Sequence, residues 1–137
     1  MFKFKTYLLA TVIFFIIDLL WLGLIAKNLY QSKVGNLLSV DVNWIAAVLL
    51  YLLLILGLLY FVINPALEKS SWSYAVFAGA FFGMLMYATY DMTNLATLKD
   101  WSVFITIVDI IWGTFLCSLT SLLVFISRNK AQISASK

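Results

Sequence analysis

Four long apolar runs alternate with short polar connections along the chain. They extend over Tyr7–Ala26, Trp44–Ile63, Tyr74–Tyr90 and Ser102–Ser127. A hydrocarbon core of about 30 Å needs about 20 helical residues, with a range of about 17–25. Because the runs are long and do not alternate with a period of two, they predict helices and not the strands of a barrel. The pattern therefore predicts an all-α integral membrane protein, with four transmembrane helices in an antiparallel bundle.

The composition supports lipid as the solvent of these runs. Of the 137 residues, 64% are apolar and 11% are charged, whereas a soluble domain is roughly half apolar and about a quarter charged. A soluble fold of this length would bury too little of that apolar surface. We therefore expect residues 1–137 to form a single membrane domain in contact with membrane lipids.

The first run also has features of a signal peptide, because a basic start precedes its apolar stretch. However, the run is long, it contains Asp18 and Trp21, and no good small-x-small cleavage site follows it. We therefore expect it to be retained as the first span.

The connections carry their own signals. The segment after the first span has apolar residues at helical spacing, which is typical of a short helix lying on the membrane surface; these are Tyr30, Val34, Leu37 and Leu38. An irregular loop with apolar anchors remains an open alternative. Asp41 or Asn43 is expected to cap the second helix, and Pro65 predicts the end of that helix at Asn64.

The basic residues indicate an orientation. Four spans place both termini on one side, and six of the nine lysine and arginine residues lie there. Since loops rich in lysine and arginine stay in the cytoplasm, we expect both termini to be cytoplasmic and the protein to lie in the cytoplasmic (inner) membrane. The net charge of +3 is not clustered on one face, so no nucleic-acid partner is expected.

Small residues recur at every fourth position in the last two runs. Ala75, Gly79 and Gly83 form such a ridge, which continues to Tyr87 and Asp91. The fourth run has a matching ridge that consists of Asp109, Gly113, Cys117 and Ser121. Ridges of this kind let helix backbones approach closely, so we expect a packed seam that joins the first, third and fourth spans. The ridge could instead build a homodimer; we favour packing within the chain.

Two aspartates lie inside spans, each three residues before a tryptophan: Asp18 before Trp21, and Asp109 before Trp112. At 1.5 Å per residue, Asp18 lies about 18 Å and Asp109 about 20 Å from the cytoplasmic edge. The two carboxyl groups are therefore expected at one depth, in one polar site. Trp21 and Trp112 are also explained by ordinary packing.

An ionised side chain near the centre of a span costs about 2.5–3.5 kcal/mol on insertion scales. Every lysine and arginine lies in a loop or terminus, so neither aspartate has a countercharge in the membrane. The carboxyl groups would therefore be protonated, hydrated in a pocket or bound to a cation; two neighbouring carboxyls would share a proton. Hydrogen-bond donors for them are supplied by Trp21, Trp112, Tyr87, Tyr90, Thr89, Thr93 and Asn94. Structural hydrogen bonding between helices is the alternative role for both aspartates.

The run "YATYDMTNLATLKDW" at residues 87–101, followed by "VDIIWGT" and preceded by "DLLWLG", resembles an uncharacterised bacterial inner-membrane family. This is domain-of-unknown-function family twenty-one seventy-seven. The resemblance covers nearly the whole chain and implies a small four-span protein of the cytoplasmic membrane, with no established activity. The motif positions that it carries over are Asp18, Trp21, Tyr90, Asp91, Thr93, Asn94, Asp109, Trp112 and Gly113.

The Tyr90–Asn94 part of this motif falls where the third span is expected to reach the outer surface. It is interpreted either as a rigid capped turn or as the outer wall of a pocket whose floor is Asp18 and Asp109. Asp100 is expected to cap the fourth helix, and Trp101 to anchor it at the interface.

The chain lacks residues that several kinds of catalysis and cofactor binding require. The chain has no histidine and one cysteine, Cys117, so histidine-dependent catalysis, a disulfide within the chain and Cys-x-x-Cys exchange are excluded. No glycine-rich phosphate loop is present, and we expect no cofactor and no metal site.

Three functional hypotheses remain. The first is a protein that binds or passes a proton, a cation or a small amphiphile at the intramembrane carboxylates. The second is an accessory subunit for a partner membrane protein, with the aspartates as structural clips. The third is a lipid-modifying enzyme that uses the carboxylates as acid and base.

Overall fold

The computed structural model describes the backbone of residues 3–135 and the side chains of residues 3–131. Within this part of the chain the secondary structure is helical, without strands. Four helices are long and apolar enough to cross a membrane, which confirms the predicted fold class. We number them α1 (Phe4–Leu37), α2 (Trp44–Glu68), α3 (Trp72–Thr97) and α4 (Val103–Ala135). The bundle thus has a terminal end and an opposite end, which we call the loop end and which holds the α1–α2 and α3–α4 connections.

Helix α1 is longer than its predicted span. The segment Lys27–Val34 is helical, but it follows directly from the span through a π-turn at Leu22–Ala26 and finishes in a 3₁₀ turn. The predicted separate surface helix is therefore the last part of α1. Val34 is buried there, and the Lys33 ammonium lies 5.7 Å from the centre of the Phe104 ring at the start of α4. These contacts keep the extension attached to the bundle.

Helix α2 begins as predicted but ends later. The Asn43 side chain accepts a hydrogen bond from the Ala46 amide at 3.1 Å, so Asn43 provides the cap. The predicted end at Asn64 is wrong, because the helix continues to Glu68 beyond Pro65. A π-turn at Leu59–Ile63 precedes the proline. Such local widening accommodates a residue that has no amide hydrogen to donate.

Helix α3 also extends past its predicted end at Tyr90. It runs to Thr97, where the Leu98 amide donates to the Asn94 carbonyl. No glycine or proline interrupts residues 84–97, and the Thr97 hydroxyl bonds back to the Thr93 carbonyl at 2.7 Å. The predicted turn at Tyr90–Asn94 is therefore the last part of a helix.

The connection between α3 and α4 is short. Asp100 adopts a left-handed backbone conformation with φ of 64°, which aspartate tolerates better than most residues. The predicted cap at Asp100 is wrong; the Ser102 hydroxyl accepts from the Ile105 amide at 3.3 Å instead. The Trp101 indole donates to the Thr106 hydroxyl at 3.1 Å, which fixes this connection against α4.

The ridges of small residues on α3 and α4 pack against each other within the chain, in the most extensive interface of the described residues. A Cβ atom on Gly79 would lie 2.9 Å from the Cys117 carbonyl oxygen, and one on Gly83 would collide with the Gly113 carbonyl. The expectation of packing within the chain is therefore confirmed.

Helix α4 is the centre of the bundle. An apolar stretch of 18 residues in α4 is 39% buried, whereas the corresponding stretches of the other three helices are 17–28% buried. It packs against α1 as well as α3, as the predicted seam requires. The second span, interpreted from sequence as a lipid-facing or scaffolding helix, also contributes core residues, among them Leu54, Ile55, Leu58, Leu59, Val62 and Ile63.

Replacing Gly83 tests the backbone contact. We expect Gly83→Ala to lower the free energy of unfolding by about 1–3 kcal/mol, because the added methyl group overpacks the seam. Gly23→Ala is the matched control, since a Cβ atom there meets nothing within 4 Å; it should be neutral or raise stability by up to about 1 kcal/mol. Denaturant unfolding in mixed micelles measures both variants. Equal effects would contradict the packing.

Candidate functional site

Asp18 links α1 to two other helices. Its side chain is 3% exposed, and its Oδ1 accepts a hydrogen bond from the Trp112 indole of α4 at 3.1 Å. The Tyr51 hydroxyl of α2 interacts with the same carboxyl group. The aspartate in the first Asp-x-x-Trp motif is therefore held by the tryptophan of the second.

The two tryptophans stack. The ring centres of Trp21 and Trp112 lie 4.4 Å apart, with 9° between the ring planes. Because residues three apart share a helix face, each stacked indole lies near the aspartate of its own motif. The buried Nε1 of Trp21 has no hydrogen-bond partner. A donor is thus left free beside the carboxyl cluster.

Asp109 lies in the same cluster. Its side chain is 5% exposed, its Oδ1 has no partner, and its carboxyl group is close enough to Asp18 for the two charges to interact. Helices α1 and α4 run in opposite directions, so the two carboxyl groups enter this cluster from antiparallel helices.

Asp91 and Tyr87 extend this cluster towards the loop end. Asp91 is fully buried, and neither of its carboxyl oxygens has a partner. The Tyr87 ring lies directly against Gly113, and the Tyr87 hydroxyl interacts electrostatically with both Asp18 and Asp91. The Tyr87 hydroxyl is therefore within electrostatic range of both carboxyl groups.

The remaining predicted site residues lie away from this cluster or at its edge. Tyr90 is exposed and packs edge-to-face on Trp101, with 6.0 Å between the ring centres. Thr93 is exposed and lines an open groove on the outer face of α3. Asn94 is half-buried, one turn beyond Asp91. The structure thus groups Asp18, Trp21, Tyr87, Asp91, Asp109 and Trp112. We call these six residues and Tyr51 the carboxyl cluster.

Tyr51 was missed in the sequence because the second span has no charged residue near its middle. The available signal was a tyrosine hydroxyl inside an otherwise apolar run, away from the interface where tyrosine is usual. Buried tyrosine hydroxyls normally find a partner, so this position predicted a polar neighbour.

No basic side chain belongs to the carboxyl cluster. Along the chain, no lysine or arginine occurs at positions 6–26, 34–68, 70–98 or 100–127. Among the described residues, no group of three or more histidine, cysteine, aspartate or glutamate side chains is arranged to hold a metal ion. The arrangement therefore offers carboxyl groups and hydrogen-bond donors but no fixed countercharge.

A double-mutant cycle tests the bond between Asp18 and Trp112. Trp112→Phe should lower the free energy of unfolding by about 1–3 kcal/mol, because a buried acceptor loses its donor. In an Asp18→Leu background this cost should shrink, with a coupling energy of about 0.5–3 kcal/mol. Trp44→Phe is the control, since Trp44 is 71% exposed. Additive effects of the two substitutions would show that the bond contributes nothing.

The comparisons with known proteins agree with this architecture. Neither the curated proteins nor the solved structures give a significant match. A family model described as "Predicted membrane protein (DUF2177)" matches residues 3–126, which include the whole carboxyl cluster and nearly the whole chain. The protein belongs to this family of predicted membrane proteins.

Proposed function

We propose that the protein binds a proton at a carboxyl pair formed by Asp18 and Asp109, inside the cytoplasmic membrane. One observation supports this most directly: Asp18 and Asp109 are buried, interact with each other and have no basic partner in the cluster. Two ionised carboxylates at that place would repel each other and lose their hydration. Retaining one proton between them relieves both costs.

The hydrogen bonds around the pair fit a shared proton. The Trp112 indole donates to Asp18, and the Tyr51 hydroxyl interacts with it, so Asp18 is the better stabilised as a carboxylate. Asp109 has an oxygen without a partner, so it is the better site for the proton. This assignment favours a proton over a multivalent cation, which needs more oxygen ligands than two carboxyl groups supply.

The charge distribution supports an orientation for this site. Both termini and the α2–α3 connection carry six of the nine basic residues, which supports a cytoplasmic position for the terminal end of the bundle. The loop end, with Asp91 and the α3–α4 connection, then faces the opposite side of the membrane.

A structural role in an accessory subunit is the second candidate. It is favoured by the Trp112–Asp18 hydrogen bond, which joins α4 to α1 as a clip would. The glycine ridge gives it less support, because that ridge is already occupied by packing within the chain. A partner membrane protein would therefore need another surface.

Infrared difference spectroscopy on the purified protein in lipid nanodiscs tests the proposed function. A protonated carboxyl group has a carbonyl stretching band that an ionised one lacks. We expect such a band at neutral pH in the unsubstituted protein, with the same component lost in both Asp18→Asn and Asp109→Asn, because an amide removes the shared proton; buried Asp91 can contribute a separate component that both substitutions leave in place. Asp41→Asn is the control, since Asp41 is exposed.

The same spectra distinguish the two candidates. Absence of the band at neutral pH from the unsubstituted protein would refute the shared proton. A band that keeps its full amplitude in both variants would place the proton elsewhere. If the band is absent while Asp18→Leu lowers stability, the structural role of Asp18 is the better account.

A further inference from the structure

The connection between α1 and α2, residues 38–43, has exposed apolar side chains next to the spans. Apolar and polar residues alternate from Leu38 to Trp44, a pattern typical of a segment with one apolar side and one polar side. Val40, in the middle of the connection, is 99% exposed. The other members of its apolar side are exposed as well, namely Leu38, Val42 and Trp44. The described part of the bundle thus leaves the apolar side of the connection open.

The polar side chains of this connection are largely engaged within it. The Ser39 hydroxyl donates to the Asp41 carbonyl oxygen at 2.7 Å, and the Asn43 side chain caps α2. Asp41 is the one charged residue between Lys33 and Glu68. A contiguous exposed apolar surface marks a contact with a protein or a membrane. The apolar side of the connection is therefore suited to an apolar environment and not to water.

The connection lies at the edge of the hydrocarbon core. The apolar run of α2, Trp44–Ile63, would extend about 30 Å as a helix, which is about the thickness of that core. Trp44 therefore lies at the boundary, where tryptophan is common. On the other flank, the Lys33 ammonium lies 5.7 Å from the centre of the Phe104 ring, in the first turn of α4. Both flanks place residues 38–43 near the loop-end surface of the bundle.

The apolar side of the connection continues into the lipid-facing surface of α2. Ile45, Val48 and Leu49 are exposed in the first turns of that helix. Because α2 is long and apolar enough to cross the membrane, these side chains contact lipid. Trp44 lies between the two surfaces and is itself exposed. One apolar surface thus runs from the span into the connection.

The other two connections are different. Residues 69–71, between α2 and α3, are a lysine and two serines. Between α3 and α4, Leu98 is exposed, but the exposed Lys99 and Asp100 follow it and Trp101 is half-buried. Neither connection presents a row of apolar side chains. The apolar side of the first connection is therefore not a general property of the turns in this bundle.

We propose that the connection between α1 and α2 is a membrane anchor, whose apolar side is immersed in the headgroup–acyl boundary of the leaflet at the loop end. The occupant of this surface is lipid, because the surface lies at the membrane boundary and continues a lipid-facing span. At that depth Asp41 keeps contact with water, which it would lose at the centre of a span. The anchor fixes the loop ends of α1 and α2, and it does not depend on the proton-binding pair.

Fluorescence quenching tests the anchor. Val40→Cys in the full-length protein is labelled with the environment-sensitive fluorophore NBD and placed in lipid nanodiscs. Iodide quenches the fluorophore from water, and a nitroxide on the upper part of a lipid acyl chain quenches it from the membrane. We expect iodide quenching at position 40 to be on the order of threefold weaker than at Lys99→Cys, and nitroxide quenching to be stronger, because an interfacial anchor lies about 5–10 Å deep.

Two controls accompany this measurement. Lys99→Cys is the matched control, since Lys99 is exposed in the other connection at the same end. The unsubstituted protein, treated with the fluorophore in the same way, corrects for reaction at Cys117, which is buried.

The outcomes distinguish water, lipid and protein around the connection. Equal iodide quenching at positions 40 and 99 would place the connection in water and overturn the anchor. A fluorophore at position 40 that is shielded from both quenchers would show that protein covers the surface, which overturns lipid as its occupant. If Val40→Cys does not fold or label, Val42→Cys repeats the measurement from the same side, and the same results decide it. None of these outcomes bears on the infrared band of Asp18 and Asp109.

Discussion

The backbone contact between α3 and α4 sets the geometry of everything else in the bundle. Gly83 and Gly113 let the two helices approach until the main chain of one meets the other. This contact fixes the register of the ridges, so Tyr87 lies against Gly113 and Asp91 faces α4. A larger residue at either glycine would separate the helices and displace these groups. The position of the acidic side chains thus depends on Gly83 and Gly113, which have no side chain that could bind or react.

The carboxyl cluster also shows a division of roles among similar residues. Asp18 has a donor from α4 and an interaction with a hydroxyl from α2, whereas Asp91 has no hydrogen-bond partner and Asp109 has an oxygen without one. Burial without a partner is unfavourable for any polar group, so the three aspartates do not contribute equally to folding. Asp18 can contribute to holding the bundle together, while Asp91 and Asp109 retain unused hydrogen-bonding capacity.

Sequence patterns predicted the parts of this structure that depend on solvent and periodicity. The four spans, the Asn43 cap and the ridges of Gly79, Gly83 and Gly113 follow from hydrophobic run length, capping chemistry and four-residue spacing. Counting residues from the span ends placed Asp18 and Asp109 at one depth. These features are local or depend on one antiparallel pair, so a single sequence contains enough information to predict them.

The remaining features depend on contacts between distant residues. Pro65 is a helix breaker by local rules, but a π-turn and the surrounding bundle carry α2 past it. The end of α3 was predicted at Tyr90 because polarity rises there, whereas the helix continues to Thr97, whose hydroxyl bonds back to the Thr93 carbonyl. Tyr51 could be assigned to the carboxyl cluster only from the position of α2 in the bundle. Whether Tyr90 or Thr93 binds anything stays a prediction.

The π-turn in α1 has a consequence for the direction of its inner face. Buried residues occur at every fourth position in the first part of the helix, from Thr6 through Ala10 and Phe14 to Asp18. Four residues of an α-helix turn about 40° more than a full circle, so this stripe winds steadily around the axis. The extra residue of the π-turn at Leu22–Ala26 rotates the stripe back, and Ala26 and Val34 are again enclosed. The added residue therefore lets one continuous helix keep its buried face towards the neighbouring helices on both sides of the π-turn.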